Sequence, residues 1–193
     1  ISRISILLST IIFYPVVSRF LTKGQVAILA VFEFLPPIID FLPNLGFQTT
    51  IMKLLPEKKL ENFDEARLLV QINAYMIQLF FCLLAILVII FSSDISYILL
   101  KNSKFSTEIS IIAIWSFIYT LSDRLLIVKQ ALGDYHYVAY FNMFRYIVSR
   151  IGGIVLLMLG YGVSGIIFSF TFVFITSIFI VGKSIKNFLF PFI

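Results

Sequence analysis

The side chains with the greatest capacity for chemistry in this sequence are ionisable groups placed where a bilayer penalises them. Arg145 and Arg150 interrupt the apolar run YVAYFNMFRYIVSRIGGIVLLML, and Glu33 and Asp40 interrupt FEFLPPIIDFLPNLGF at residues 32 to 47. A guanidinium is a planar fork that grips phosphate or carboxylate through paired hydrogen bonds. An ionised side chain at the middle of a membrane helix costs roughly 2.5 to 3.5 kcal/mol on insertion scales, so each of these groups must face protein or water. The helical offsets i, i+4, i+7 and i+11 share a face, and they put Glu33, Pro37, Asp40 and Asn44 in one stripe. Pro36, Pro37 and Pro43 remove backbone donors from the same segment, which a helix tolerates where neighbours or a wet cavity satisfy the freed carbonyls. Gln71, Tyr75, Gln78 and Cys82 repeat the spacing, and Ser116, Thr120 and Asp123 make a shorter stripe. Interhelical hydrogen bonds account for the uncharged stripes one by one; taken with the charged one, they describe helices arranged round a hydrated interior. Asn142, Arg145 and Ser149 share a face, whereas Arg145 and Arg150 point about 140° apart. Two readings stay open for the arginines: one is structural and neutralised by Asp40 or Glu33, or at least one presents its fork to an anionic ligand. Asp123 and Arg124, at the end of their run, read as interface charges.

The elements that must position these groups are set by composition. Of 193 residues, 60% are hydrophobic and 13% charged, and the mean hydropathy is +1.03. That balance describes an all-α integral membrane protein. A hydrocarbon core about 30 Å thick takes about 20 apolar residues per helix, and six stretches qualify, near 4–20, 26–52, 68–92, 107–130, 137–159 and 162–182. The expected architecture is a single six-transmembrane-helix bundle spanning residues 1–193. The piece KLLPEKKLENFDEAR at 53–67 reads as a solvated loop that starts the third helix near FDEAR, and SSDISYILLKNSKFST at 92–107 as a loop or an interfacial segment. With the N-terminus cytoplasmic, Arg3, Lys53, Lys58, Lys59, Arg67, Arg124, Lys129, Lys183 and Lys186 fall inside, and Arg19, Lys23, Lys101 and Lys104 outside. The positive-inside rule therefore puts both termini of this segment on the cytoplasmic side of a cell membrane. The chain begins with Ile and its first span is the shortest, so it reads as part of a longer protein.

The same residues argue against an enzyme. GVSG at 162–165 matches a short nucleophile motif of intramembrane proteases, but the single histidine, His136, precedes it in an inner loop. One histidine and one cysteine, Cys82, leave no metal-ligand cluster and no intrachain disulfide. Glu33 and Asp40 stand about 10 Å apart along a helix, too far for direct acid–base cooperation unless a proline kink brings them together. No cofactor is expected, and the net charge of +5 reports topology rather than nucleic-acid binding.

The segment SRFLTKGQVAILAVFEFLPPIIDFLPNLGFQTTIMKLLPE, with Arg19, Leu45, Gly46, Lys53, Pro56 and Glu57, resembles the opening hairpin of polysaccharide (O-antigen) type flippases in the multidrug/oligosaccharidyl-lipid/polysaccharide exporter superfamily. KQALGDYHYVAYFNMFRYIVSRIGGIVLLMLGYGVSGIIFSFTF is similar to that family's fourth-to-sixth helix region. The resemblance departs at LTKGQVAIL, and at Glu33 with its double proline. It implies an N-terminal lobe of a two-lobe exporter, with a C-terminal helical lobe missing from this chain. The implied function is flipping a polyprenyl-pyrophosphate-linked oligosaccharide across the membrane, with membrane lipid as the surrounding partner. Arg145 or Arg150 would then pair with the pyrophosphate, Asn142, Gln78 and Asn44 would supply polar contacts, and Glu33 and Asp40 would bind a coupling H+ or Na+. The alternative is a six-helix small-molecule-binding membrane subunit of an importer.

Overall fold

A computed structural model describes residues 2–41 and 47–189. All regular structure among them is helical: α1 (Ser2–Phe20), α2 (Lys23–Phe41), α3 (Phe47–Glu61), α4 (Phe63–Ile90), α5 (Ser92–Leu100), α6 (Ser106–Ala131), α7 (Tyr135–Leu156), α8 (Gly162–Ser184) and the single turn α9 (Lys186–Leu189). Among the described residues, three helical stretches are long and apolar enough to cross a bilayer: Phe63–Ile90, Ser103–Ala131 and Tyr135–Ser184. On α4 the residues Leu68, Ile72, Met76, Leu79, Leu83 and Ile90 stay exposed. Such an outward apolar face suits lipid and not water.

The stretch Tyr135–Ser184 is not one rod. Gly160 and Gly162 take left-handed backbone angles, φ 91° and 59°, which a residue bearing a Cβ adopts only under strain. The chain reverses there, and α8 runs back along α7. Ser169 Oγ donates to the Ser149 carbonyl at 2.9 Å. A Cβ on Gly153 would meet Ile166, and one on Gly165 would stand 2.9 Å from the Leu156 side chain. These pairings step in opposite directions along the chain and define an antiparallel hairpin. Small residues at the seam let the backbones approach, which is how helices associate where lipid supplies no hydrophobic drive.

Two expected boundaries are corrected. The run 26–52 is divided between α2, which ends at Phe41, and α3, which begins at Phe47; residues 42–46 lie outside the described residues, and Asn44 with them. The expected loop at 53–67 is mostly helix. Its charges conceal a buried edge: Ile51 and Leu55, four residues apart on α3, pack against Ala66, Val70 and Ala74 of α4. Asn62 alone separates the two helices. Its extended backbone (φ −152°) turns the chain, and its side chain accepts from the amides of Asp64 and Glu65, an N-cap that satisfies otherwise orphaned donors. Lys58 then ties the corner, reaching Glu61 at 3.4 Å and Glu65 at 2.8 Å.

α6 is the central pillar, in contact with α2, α3, α4, α5, α7 and α8. Around one end of it lies an aromatic core with Phe13, Phe32, Trp115, Phe170 and Phe174. Around the other lies an aliphatic core with Leu55, Val70, Leu125, Val128 and Val181. Between the two cores sits a belt of buried polar groups that includes Ser122, Arg124, Arg145, Ser149 and Ser177.

Two outcomes test this architecture. Gly165→Val drives side-chain atoms into Leu156 and Tyr161, and overpacking of this kind costs about 1 to 3 kcal/mol; a lowered thermal midpoint in detergent is expected, with Gly160→Ala affecting the turn alone. At the α3–α4 corner, the hydrogen bond from Lys58 holds the Glu65 carboxyl below its usual range. Hydrogen bonds to Glu65 and then Glu61 hold the Lys58 ammonium above its own. A depressed carboxyl stabilises the fold above its unfolded value and loses that contribution as pH falls through the folded one. Acidification below about pH 4 should therefore loosen this corner in the wild type, and Lys58→Met should remove that step from a pH series of limited proteolysis at residues 58–66.

Candidate functional site

A helix buried among helices makes its own backbone hydrogen bonds, so the polar groups left to do chemistry are side chains. In this chain they converge on a crevice between α2 and α7. These two helices barely touch: α2 packs on α6 and α8, and α7 on α8 and α1. The gap between them holds two cavities of about 170 Å³ each, each with room for water.

The first cavity is walled by Glu33, Pro36 and Pro37 of α2, Tyr119 of α6, and Tyr146 and Arg150 of α7. Helix α2 continues through both prolines, which leaves the carbonyls of Phe32 and Glu33 without their usual i+4 donors. Both residues line this cavity. The prolines thus border a cavity that Glu33 and Arg150 share with the rings of Phe32, Trp115 and Phe170. Arg150 donates to the Ser9 hydroxyl of α1, interacts electrostatically with Glu33, and lies over the rings of Phe13 and Tyr146 at 6.0 and 5.8 Å. Tyr14 of α1 donates to the Glu33 carboxylate.

The second cavity is walled by Asp40, Gln48, Asp123, Arg124, Gln130 and Asn142. Arg124 is 3% exposed and bonds Asp40 at 3.2 Å; its other terminal nitrogen, Nη1, and the carboxamide oxygen of Asn142 have no hydrogen-bond partner among the described residues. A donor and an acceptor, both unpaired beside one polar cavity, mark it as a place for water or a polar ligand.

Between the cavities stands Arg145, 2% exposed. It pairs with Asp123, donates to Ser122 Oγ at 2.8 Å, and stacks 4.4 Å from the Phe174 ring centroid. Ser122 in turn donates to Ser177 at 3.0 Å. Burying a guanidinium demands this density of partners, because its desolvation is offset only by a counter-charge and satisfied donors.

The sequence expectations are therefore partly rearranged. One of Arg145 and Arg150 was expected to be neutralised by Asp40 or Glu33; Arg145 pairs with Asp123 and Asp40 with Arg124, while Arg150 interacts with Glu33. Neither Asp123 nor Arg124 is a mere interface charge: both meet partners on other helices, and Arg124 is buried. The reason is that pairing across helices depends on which faces dock, which spacing along one helix does not specify. Arg145 and Arg150 do point apart, one to α6 and α8, the other to α1 and α2. Gln78 lies elsewhere, on α4, where its amide donates to the Phe117 carbonyl at 3.1 Å. Ser122, Ser177, Tyr119 and Tyr146 were not singled out; the stripe Ser116, Thr120 and Asp123 pointed to that face of α6 but not to its partners.

No protein-family model matches the sequence, and no curated protein or solved structure matches it either.

Truncating one member of a buried ion pair leaves the other uncompensated, at about 3 to 5 kcal/mol. Because the Asp123 side chain is 37% exposed, Asp123→Ala is expected at the low end, about 3 kcal/mol. The double variant Asp123→Leu/Arg145→Met should recover most of the loss in detergent unfolding; additive losses would show that the pair does not act as a unit.

Proposed function

We propose that the chain is a six-helix lobe of a membrane transporter of the multidrug/oligosaccharidyl-lipid/polysaccharide exporter type, and that it moves a lipid-linked, pyrophosphate-bearing oligosaccharide. The physical task is to pass a charged, hydrated head group through the membrane while its polyprenyl tail remains in lipid. Alternating access of two lobes round a polar path accomplishes that. The observation that carries the reading is the charged crevice between α2 and α7. It has an arginine wall, two carboxylates from α2 and room for water, in a chain whose outer faces are apolar.

Within this reading the arginines divide their duties. Arg145, enclosed by Asp123, Ser122 and Phe174, holds the lobe together. Arg150 is 7% exposed and borders the first cavity, so it is the guanidinium assigned to the pyrophosphate, with the Asn142 carboxamide oxygen in the second cavity accepting from a glycan hydroxyl. Glu33 and Asp40 are the groups assigned to a coupling H+ or Na+. Each sits beside an arginine, so protonating or metallating it frees a guanidinium for the substrate's phosphates. Anion capture and ion binding thereby become one coupled step. The localisation proposed is the cell membrane, with both ends of the segment on the cytoplasmic face.

Arg150→Gln keeps a hydrogen-bonding side chain but removes the charge. Surface-polysaccharide export by the full-length protein in its own cell should fall at least tenfold, with membrane abundance unchanged. Undiminished export would remove the anion-binding role of Arg150. A reading frame that supplies a second set of spans after Ile193 favours the two-lobe exporter; one that supplies none favours the importer subunit.

A further inference from the structure

On the side of the bundle away from the charged crevice, α4, α6 and α8 leave a groove of about 780 Å³. Its walls include Leu79 and Cys82 of α4, Phe117 and Leu121 of α6, and Ile178 and Phe179 of α8. Leu79 and Phe179 are among the exposed apolar side chains, so the groove opens on the lipid-facing surface. From Ala74 to Cys82 its wall on α4 extends about 12 Å.

One end of the groove differs from the rest. Lys183, in the last turn of α8, lines that end, together with Tyr75 and Leu189. Tyr75 and Gln71 both donate to the Leu189 carbonyl, at 3.1 and 3.3 Å, which fixes α9 as a stop across the mouth. Lys186, the first residue of α9 and three residues before Leu189, is exposed. α8 carries no other charge along its length, so this end marks where the apolar segment meets the interface. One turn deeper, Gln78 lines the groove, and its carboxamide oxygen has no hydrogen-bond partner among the described residues.

We infer that this groove is a binding site for one anionic phospholipid of the surrounding bilayer, with an acyl chain along α4, α6 and α8 and its phosphate at Lys183 and Lys186. An apolar groove gains little by exchanging one hydrocarbon chain for another, because lipid tails are as apolar as the wall. Selection must therefore come from the charged end, and two lysines at a membrane interface favour an anionic head group. The site is separate from the crevice between α2 and α7 and does not depend on what passes through it.

The test is native mass spectrometry of the full-length protein taken from bilayers of equal phosphatidylglycerol and phosphatidylcholine. Wild type should retain one phosphatidylglycerol in preference to phosphatidylcholine. Gly182→Phe, which projects into the groove beside Leu125, should lower retention at least fivefold. Lys183→Gln combined with Lys186→Gln should abolish the head-group preference, while Lys101→Gln should leave both intact. Ile178→Trp fills the same space from a different position and replaces Gly182→Phe if that variant fails to fold. Wild-type retention in folded groove-filling variants overturns the site, and an undiminished preference without the two lysines overturns the assignment of its anionic end.

Discussion

Three guanidiniums buried in an apolar helical bundle are the constraint round which the rest of this molecule is arranged. Each must be given charge and hydrogen bonds by another helix, because water does not reach it freely and lipid offers nothing. Arg124 takes Asp40 from α2, Arg145 takes Asp123 and Ser122 from α6, and Arg150 takes Ser9 from α1 and the field of Glu33. Those pairings choose the neighbours. α6 stands at the centre because it contributes to two of the three, and α7 cannot rotate without breaking two of them at once.

The apolar packing fits round this polar belt. Aromatic rings fill one end, where Trp115 meets Phe32, Phe170 and Phe174 at centroid distances of 5.1, 5.9 and 4.8 Å. Aliphatic side chains fill the other. Phe174 belongs to both worlds: it closes the aromatic core and offers its face to Arg145. The α7–α8 hairpin makes this possible, since its small-residue seam brings the two backbones close enough for Ser149 and Ser177 to lie beside the belt.

The crevice and the groove are opposite solutions to packing helices in lipid. Where α2 and α7 stand apart, the space between them carries Glu33 and Arg150 beside aromatic rings at one cavity and Asp40, Asp123 and Arg124 at the other. Where α4, α6 and α8 leave a gap, it is lined by hydrocarbon and suits a lipid chain, with cations only at its end. The bundle thus carries a charged crevice and an apolar groove on different sides of one pillar.

Composition alone determined that this chain is helical and built for lipid, since no water-soluble domain hides so large an apolar fraction. Side-chain types alone marked Glu33, Asp40, Arg145 and Arg150 as groups needing explanation, because the cost of burying a charge does not depend on the fold. The α3 helix escaped notice because its lysines and glutamates masked the Ile51 and Leu55 edge, visible only once α4 lies against it. The partners of the arginines were decided by tertiary structure, as was the division of polar residues between the crevice and a remote groove. A helix face is periodic and local, whereas an ion pair is made between faces, and docking alone selects which faces meet.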